Sequence, residues 1–254
     1  MLAPERQQQI LTLLEERGTV RTIDLAEEFQ VTDETIRRDL QVLADNQQLS
    51  RVHGGASSLN GRPKLQSFSE RHLLEVKKKE AIAKVALERI HPGQTYAFDS
   101  STTSFALVTL LPDLPYRVLT NAYAVIDQLV HTDQIDLIST GGKYHPKTQT
   151  FISGDSYNML RRHNINCAFV SCIGLDRHRG PSEGFEQQAA FKETLIQISQ
   201  KVVLLVDSTK LNQNSEYFFA NLSDITEIIT DDGAPTDFIK DLRAAGCTVT
   251  IAKP

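Results

Sequence analysis

The sequence predicts an α/β protein with an N-terminal winged helix-turn-helix followed by a larger α/β domain built on a mainly parallel sheet. Three observations carry this reading. Residues 1–56 repeat apolar side chains at the helical period and end in a short alternating run and a glycine pair. Residues 57–67 lose that period and collect Ser, Gly, Asn and Pro, the composition of a linker. From 68 to 254, short apolar runs alternate with helical stretches, as in a sheet covered by helices on both faces.

The first helix is expected from about Pro4 to Arg17, with proline at a first-turn position and Ile10, Leu11, Leu13 and Leu14 as its apolar stripe. Gly18 ends it. Thr22 is expected to cap a second helix, Ile23 to Phe29, and Thr32 a third running to about Asn46, with Ile36, Leu40 and Leu43 inward. Two helices joined by the short turn Gln30-Val31 form a helix-turn-helix. Leu49 to His53 then reads as a strand and Gly54-Gly55 as a tight turn, which together make a wing. Beyond the linker a charged helix is expected from Ser69 to Ile90, with Lys77-Lys78-Lys79 on its solvated face. Strands are expected at 95–98, 116–119, 135–139, 167–172, 202–206, 227–229 and 248–251.

Composition narrows the function classes. With 254 residues, 40% hydrophobic and 23% charged, the chain has the balance of a folded globular protein. No stretch approaches the roughly 20 apolar residues of a membrane span, and the N-terminus has no signal-peptide core, so a cytoplasmic protein without membrane contact is expected. Cys167, Cys172 and Cys247 are read as reduced and structural; no metal site or cofactor is expected, since no His/Cys cluster has ligand spacing. The net charge of −5 excludes a polycation that coats nucleic acid, and residues 1–60, with six Arg against ten Asp/Glu, are themselves acidic. Placement matters more than the sum here. Arg21, Arg37, Arg38, Arg51 and His53 fall where a helix-turn-helix and its wing meet DNA.

In the third helix, Thr32 and Thr35 can bond phosphates near the helix start, and Arg37 or Arg38 can pair with guanine in the major groove. The candidate DNA-binding set is Arg21, Thr22, Thr32, Glu34, Thr35, Arg37, Arg38, Arg51 and His53. An isolated Arg-Arg pair also suits an ordinary solvated face; the preceding helix and the following wing favour the DNA reading. In the larger domain, polar groups follow six of the expected strands: Asp99-Ser100-Ser101-Thr102-Thr103, Thr120-Asn121, Thr140-Gly141-Gly142-Lys143, Gly174-Leu175-Asp176, Asp207-Ser208-Thr209-Lys210 and Thr230-Asp231. The carboxyl ends of strands in an open α/β sheet form the ligand crevice, so these loops are expected to converge. Hydroxyls and backbone N–H groups at 100–103 can nest an anion, and Asp99 can accept from a ligand hydroxyl. A helix cap with a polar turn is the alternative.

Val31 to Leu40, with Thr35-Ile36-Arg37-Arg38-Asp39-Leu40 at its centre, and His53-Gly54-Gly55-Ala56 resemble the DeoR family of bacterial sugar-metabolism regulators, with Thr32 where serine is commoner. The resemblance runs through nearly the whole chain. It implies a sensor domain related in fold to ribose-5-phosphate isomerase and CoA transferases, and an effector that is a phosphorylated sugar or its metabolite. Asp99 to Thr103 and Asp207 to Lys210 match family loops, and Lys192 matches the family's helical lysine. Gln188 stands where members often carry a glutamate, and Glu186 is the nearest glutamate. The effector set therefore comprises Asp99, Ser100, Ser101, Thr102, Thr103, Thr120, Asn121, Gly141, Gly142, Lys143, Gly174, Glu186, Lys192, Asp207 and Lys210. Either lysine could instead serve a surface ion pair.

The expected organisation is a DNA-binding domain at 1–56, a linker at 57–67 and an effector-sensing domain at 68–254. The expected partners are double-stranded operator DNA, a phosphorylated sugar and further copies of the chain in a dimer or tetramer. A repressor is expected rather than an enzyme. The enzyme alternative, an isomerase or acyltransferase with Asp99 or Glu186 as base and Lys192 or Lys210 as electrostatic stabiliser, leaves the N-terminal domain unexplained.

Overall fold

The computed structural model describes residues 2–46, 48–52, 54–58 and 66–253. The chain divides into two compact units, Met1–Gln66 and Ser67–Pro254, each with its own hydrophobic core.

In the first unit, α1 (Ala3–Arg17) stops at Gly18, whose φ of 71° ends the helix. There follow β1 (Thr19–Arg21), α2 (Thr22–Phe29), α3 (Asp33–Asp45), β2 (Leu49–Val52) and β3 (Gly55–Ser58). Gln30, at a φ of 54°, turns the chain out of α2. Thr32 caps α3 by accepting from the Thr35 N–H, as its sequence predicts. Ile10, Leu14, Leu25, Ile36, Leu40 and Leu49 meet in the core. Two expectations change. Arg21, not Thr22, holds the cap position of α2, without a side-chain bond; Thr22 is buried and its N–H donates to Gly54 O at 2.9 Å. The wing also gains a strand, because β1 pairs with β3 to give the antiparallel order β1-β3-β2. The approach is so close that a Cβ at Gly55 would lie 1.9 Å from Val20 O.

The second unit begins with α4 (Phe68–His72), α5 (Val76–Leu87), β4 (Thr95–Phe98), α6 (Thr102–Val108), β5 (Arg117–Thr120), α7 (Tyr123–Leu129) and β6 (Asp136–Ser139). It continues through β7 (Lys143–His145), β8 (Thr150–Ile152), α8 (Gly154–Leu160), β9 (Ile165–Val170), β10 (Gly174–Asp176), β11 (Gly180–Glu183) and α9 (Glu186–Ile198). The last elements are β12 (Ser199–Leu205), β13 (Tyr217–Phe218), β14 (Glu227–Asp231), α10 (Thr236–Ala244) and β15 (Thr248–Ala252). Seven strands, one from each expected apolar run, form a parallel sheet in the order β15-β14-β12-β9-β4-β5-β6. Alternate residues feed two cores. Ala97, Leu119, Val170, Leu204 and Ile228 pack with Leu160, Phe191, Leu195 and Phe238 of α8, α9 and α10. Phe98, Val118, Phe169, Val203 and Ile229 pack on the other face with Ile82, Leu107 and Val125 of α5, α6 and α7. Burial on both faces explains why these strands read as nearly continuous apolar runs.

Three expectations are corrected here. The single helix from Ser69 to Ile90 is two, α4 and α5, because Glu75 takes a φ of 52° between them. Lys79 is not on a solvated face: it is 5% exposed and donates to Arg71 O and Leu74 O, each at 2.6 Å. Gly174 is not in an open loop but in β10, part of the antiparallel sheet β10-β11-β13. That sheet and the β7–β8 hairpin use strands of two to four residues, too short to show a period.

Candidate DNA interface and effector site

In the first unit, exposed side chains of α3 lie beside a helix start whose donors and acceptors are held in place. Thr32 Oγ1 and Thr35 Oγ1 are 2.9 Å apart, and Arg38 pairs with Glu34 at 3.4 Å, with both side chains mostly in solvent. Arg37 on α3, Arg21 on β1 and Arg51 on β2 are also exposed. The opposite side of α3 is anchored: Asp39 is buried, accepting from Arg6 Nε at 2.6 Å and Gln7 Nε2 at 2.9 Å. Aspartate within the Arg-Arg-Asp-Leu run therefore locks α3 to α1 while the two arginines stay outside. Thr22 is buried and presents its side chain inward, and His53 lies outside the described residues.

In the second unit the strand order reverses between β4 and β9, and the loops after these strands meet there. Asp99, directly after β4, accepts from Ser171 N, directly after β9, at 3.0 Å. The register Phe98, Thr120, Ser139 across β4, β5 and β6, and Leu205 beside Ile229, places the following residues along the same edge. Polar atoms accumulate there without partners. Asn121 Oδ1 and Nδ2, Thr140 Oγ1, Ser171 Oγ and Thr230 Oγ1 are buried and make no hydrogen bond among the described residues. A sixth atom, Asp207 Oδ2, has the Lys210 ammonium at 3.1 Å. Each unpaired buried polar group costs about 1 to 3 kcal/mol, so their concentration on one sheet edge marks a place built to meet something polar.

Charges at this edge fall into two sets. In the first, Lys192 is buried, pairs with Asp99 at 3.1 Å and with Glu183, and donates to Ser171 O at 2.6 Å. Burial works against its ammonium, but Glu183 and Asp99 outweigh it and hold the pKa above the usual lysine value. Asp99 Oδ1 accepts from Ser101 N and Ser101 Oγ, and its Oδ2 from Ser171 N. Both oxygens are thus engaged, and Asp99 organises the loop instead of offering an open acceptor. In the second set, Lys210 contacts Thr103 Oγ1 at 3.3 Å as well as Asp207, itself accepting from Thr209. Burial opposes the Asp207 carboxylate, but Lys210 and the Thr209 hydroxyl keep its pKa low.

The hydroxyl loop is joined to both sets. Ser101 caps α6 by accepting from Ser104 N at 3.1 Å, Ser100 Oγ donates to Gln188 Oε1 at 2.8 Å, and Gln188 Nε2 donates to Thr150 Oγ1 at 3.0 Å. Thr120 Oγ1 donates to Phe98 O at 2.8 Å, and Ser156 Oγ holds Gly141 O at 3.0 Å. Gly142, at a φ of 118°, packs where a Cβ would lie 2.6 Å from the Ile152 backbone.

The structure thus gathers Asp99 to Thr103, Thr120, Asn121, Gly141, Lys192, Asp207 and Lys210 along one edge. The other four candidates, Gly142 among them, make no hydrogen bond to these groups among the described residues. Lys143 and Glu186 are exposed, and Gly174 packs against the Gln213 backbone, 2.5 Å from where its Cβ would sit. Glu183, Gln188, Thr150 and Lys79 belong to the same networks and were not expected. Gln188 was noted only as a departure, and Glu183 lies in a Gly-Pro-Ser-Glu strand with no apolar period.

Comparisons with known proteins agree with both units. Residues 6–62 match the DeoR-like helix-turn-helix domain, and residues 74–232 match the DeoR C terminal sensor domain. The chain is 36% identical over 250 residues, 98% of this chain and 97% of the other, to the uncharacterized HTH-type transcriptional regulator YulB of Bacillus subtilis (strain 168). It is 34% identical to the L-fucose operon activator of Haemophilus influenzae, over 92% of this chain and 94% of that one. It is 31% identical to the HTH-type transcriptional repressor GlcR of Bacillus subtilis (strain 168), over 91% and 89% of the two chains. A ribose 5-phosphate isomerase from Methanocaldococcus jannaschii aligns over 52% of this chain and 53% of that one, at a TM-score of 0.40 and 14% identity. Among the described residues no helix is long and apolar enough to cross a membrane. An anchored helix-turn-helix with its arginines outward, followed by a parallel-sheet sensor and matched along nearly its whole length by regulators, makes this chain a member of the DeoR family of DNA-binding transcriptional regulators.

Proposed function

We propose that the chain is a cytoplasmic repressor of carbohydrate-metabolism genes, released from its operator when a phosphorylated sugar binds at the carboxyl edge of the parallel sheet. The observation that carries the reading is the row of buried polar atoms of Asn121, Thr140, Ser171 and Thr230 that have no partner among the described residues, beside the hydroxyls of residues 100–103 and the Lys210 ammonium. The Thr103 hydroxyl, the backbone N–H groups of Thr102 and Thr103 and Lys210 suit a phosphate dianion, and Asn121 suits sugar hydroxyls. DNA is read by Arg37 and Arg38 in the major groove, with Thr32 and Thr35 on phosphates and Arg21, Arg51 and His53 at the flanks. A dimer or tetramer places two such helices on a palindromic site. An isomerase reading is disfavoured by Asp99, whose two oxygens are already taken by Ser101, Ser171 and Lys192.

The test is a thermal-shift screen of sugars and sugar phosphates, followed by fluorescence anisotropy on a duplex selected by the protein from a random pool. A phosphorylated sugar is expected to raise the melting temperature and lower DNA affinity. Saturation at 100 times Kd is worth about 2.7 kcal/mol. Stabilisation by free sugars alone, or tighter DNA binding in the presence of the sugar phosphate, overturns the reading.

A further inference from the structure

We propose that Lys79 is the positioning residue that ties the segment leading in from the DNA-binding unit to the effector loop, so that an anion bound at residues 101–103 is felt at residues 68–76. The inference rests on the effector reading above and adds to it the route by which occupancy leaves the site.

The sensor unit opens with a short strap, α4, directly after the linker. Its start is closed by a capping box in which Ser67 Oγ accepts from Glu70 N and Glu70 Oε2 accepts from Ser67 N at 2.6 Å. Its end has no helical continuation, because Glu75 turns left-handed. Lys79, one turn into α5, reaches back and donates to two carbonyls of that end, Arg71 O and Leu74 O. The same Arg71 O lies 3.5 Å from Thr102 Oγ1, within the hydroxyl loop. The neighbouring hydroxyl, Thr103 Oγ1, is held by Lys210. One carbonyl of the strap is therefore shared by the effector loop and by a buried lysine.

Further contacts bind the strap to the same elements. Phe68 and His72 both pack edge-on against Phe105 of α6, with ring centroids 5.7 and 5.6 Å apart. Phe68 N donates to Lys147 O at 3.1 Å, between β7 and β8.

Electrostatics give the coupling its direction. Burial, with the Lys210 ammonium adding to it, lowers the Lys79 pKa to about 8; Arg71 lowers it too, while Asp207 and Glu75 oppose the shift. These groups face Lys79 from the loop after β12, from α4 and from its own helix cap. An anion beside Lys210 offsets the repulsion, so near pH 8, where about half of Lys79 is ammonium in the free protein, a larger fraction carries the proton that bonds Arg71 O and Leu74 O. Ligand charge at the loop becomes order in the strap.

The experiment uses the full chain, with glucose 6-phosphate, fructose 6-phosphate, ribose 5-phosphate and inorganic phosphate as probes. Hydrogen exchange of amides 72–76 is compared at pH 8, near the Lys79 midpoint, in wild type and Lys79→Met, with and without each probe. The free variant is expected to exchange roughly tenfold faster or more there, since both hydrogen bonds from the ammonium are lost, with α7 and α9 unchanged. A bound probe slows these amides in wild type but not in the variant, while calorimetry gives both proteins a Kd within about threefold. Equal protection of the strap in both proteins overturns the inference alone. If no probe binds wild type, the phosphorylated-effector reading falls and the inference falls with it. A second readout needs no variant: NMR of lysine labelled at Cε follows the Lys79 titration, whose midpoint near 8 is expected to move upward when a probe is bound. A midpoint unmoved at saturation also overturns the inference.

Discussion

Arg6 of α1 donates to Asp39 of α3 at 2.6 Å, and both side chains are buried. Removing one member of such a pair leaves the other as an uncompensated buried charge, which typically costs about 3 to 5 kcal/mol. Asp39→Ala is therefore expected to lose about that much in the helix-turn-helix unit, read as faster hydrogen exchange across α1 and α3. Asp39→Asn keeps an acceptor and is expected to lose less. Unchanged exchange in Asp39→Ala would show that the pair does not hold α3.

Arg37→Ala and Arg38→Ala are expected to leave the fold intact, since both side chains are exposed and the Arg38 pair with Glu34 lies mostly in solvent. DNA binding is expected to weaken, with the salt slope of log K falling by about one unit for each phosphate contact removed. Anisotropy titrations at several salt concentrations give both numbers. An unaltered affinity in the double variant places the reading surface elsewhere.

A fragment beginning at Ser67 is expected to fold alone and bind effector but not DNA. Both cores of the second unit are complete within Ser67–Pro254, and Ser67 itself supplies the cap of its first helix. A cooperative melt with a ligand-dependent shift is the expected result, and an insoluble fragment counts against it.

The hydroxyls of residues 101–103 do different work, which shapes the test of phosphate binding. Ser101 caps α6 and donates to Asp99, so Ser101→Ala is expected to destabilise the loop as well as the site. Thr103→Val removes a hydroxyl held by Lys210 that caps no helix, and is the cleaner probe. One charge-assisted hydrogen bond is worth about 1.5 to 3 kcal/mol, so affinity for the sugar phosphate is expected to fall roughly ten- to a hundredfold. Affinity for the free sugar, measured by calorimetry, is expected to stay as it was.

Burial pushes the thiols of Cys167 and Cys172 up to about 12. In the folded protein both are expected to resist iodoacetamide at pH 8 and to react once the chain is unfolded in urea. The sign for stability follows: the folded state keeps protons that the unfolded chain releases above about pH 9, so this contribution is present below that pH and is lost as pH rises towards 12. Mass spectrometry showing rapid native alkylation of Cys172 would contradict the buried assignment.

The long apolar runs were legible in the sequence because a strand buried on both faces needs nearly every residue to be apolar; all seven sheet strands were found that way. The loops that follow them were legible for the same reason. Lys79 was not, because a lysine in Lys-Lys-Lys looks solvated until the chain folds back over it, and nothing local announces that Glu75 breaks the helix. Glu183 escaped notice because its importance lies in a partner nine residues away across a turn, Lys192. Thr22 shows the opposite case: it is a good capping residue, yet Arg21 holds the cap position of α2 and Thr22 lies buried inside the first turn, its backbone N–H on Gly54 O.

Asn121 carries one further consequence. Its amide is buried with a donor end and an acceptor end that both lack a partner among the described residues, unlike the carboxylate of Asp99, which can only accept. A group with two unlike ends reports orientation: a hydroxyl that donates to one end cannot satisfy the other without turning. On the proposed reading, two sugars that differ only in the direction of one hydroxyl present the same charge and the same size to the site. Telling such epimers apart then falls to a neutral amide, and the lysines that supply the attraction have no part in the choice.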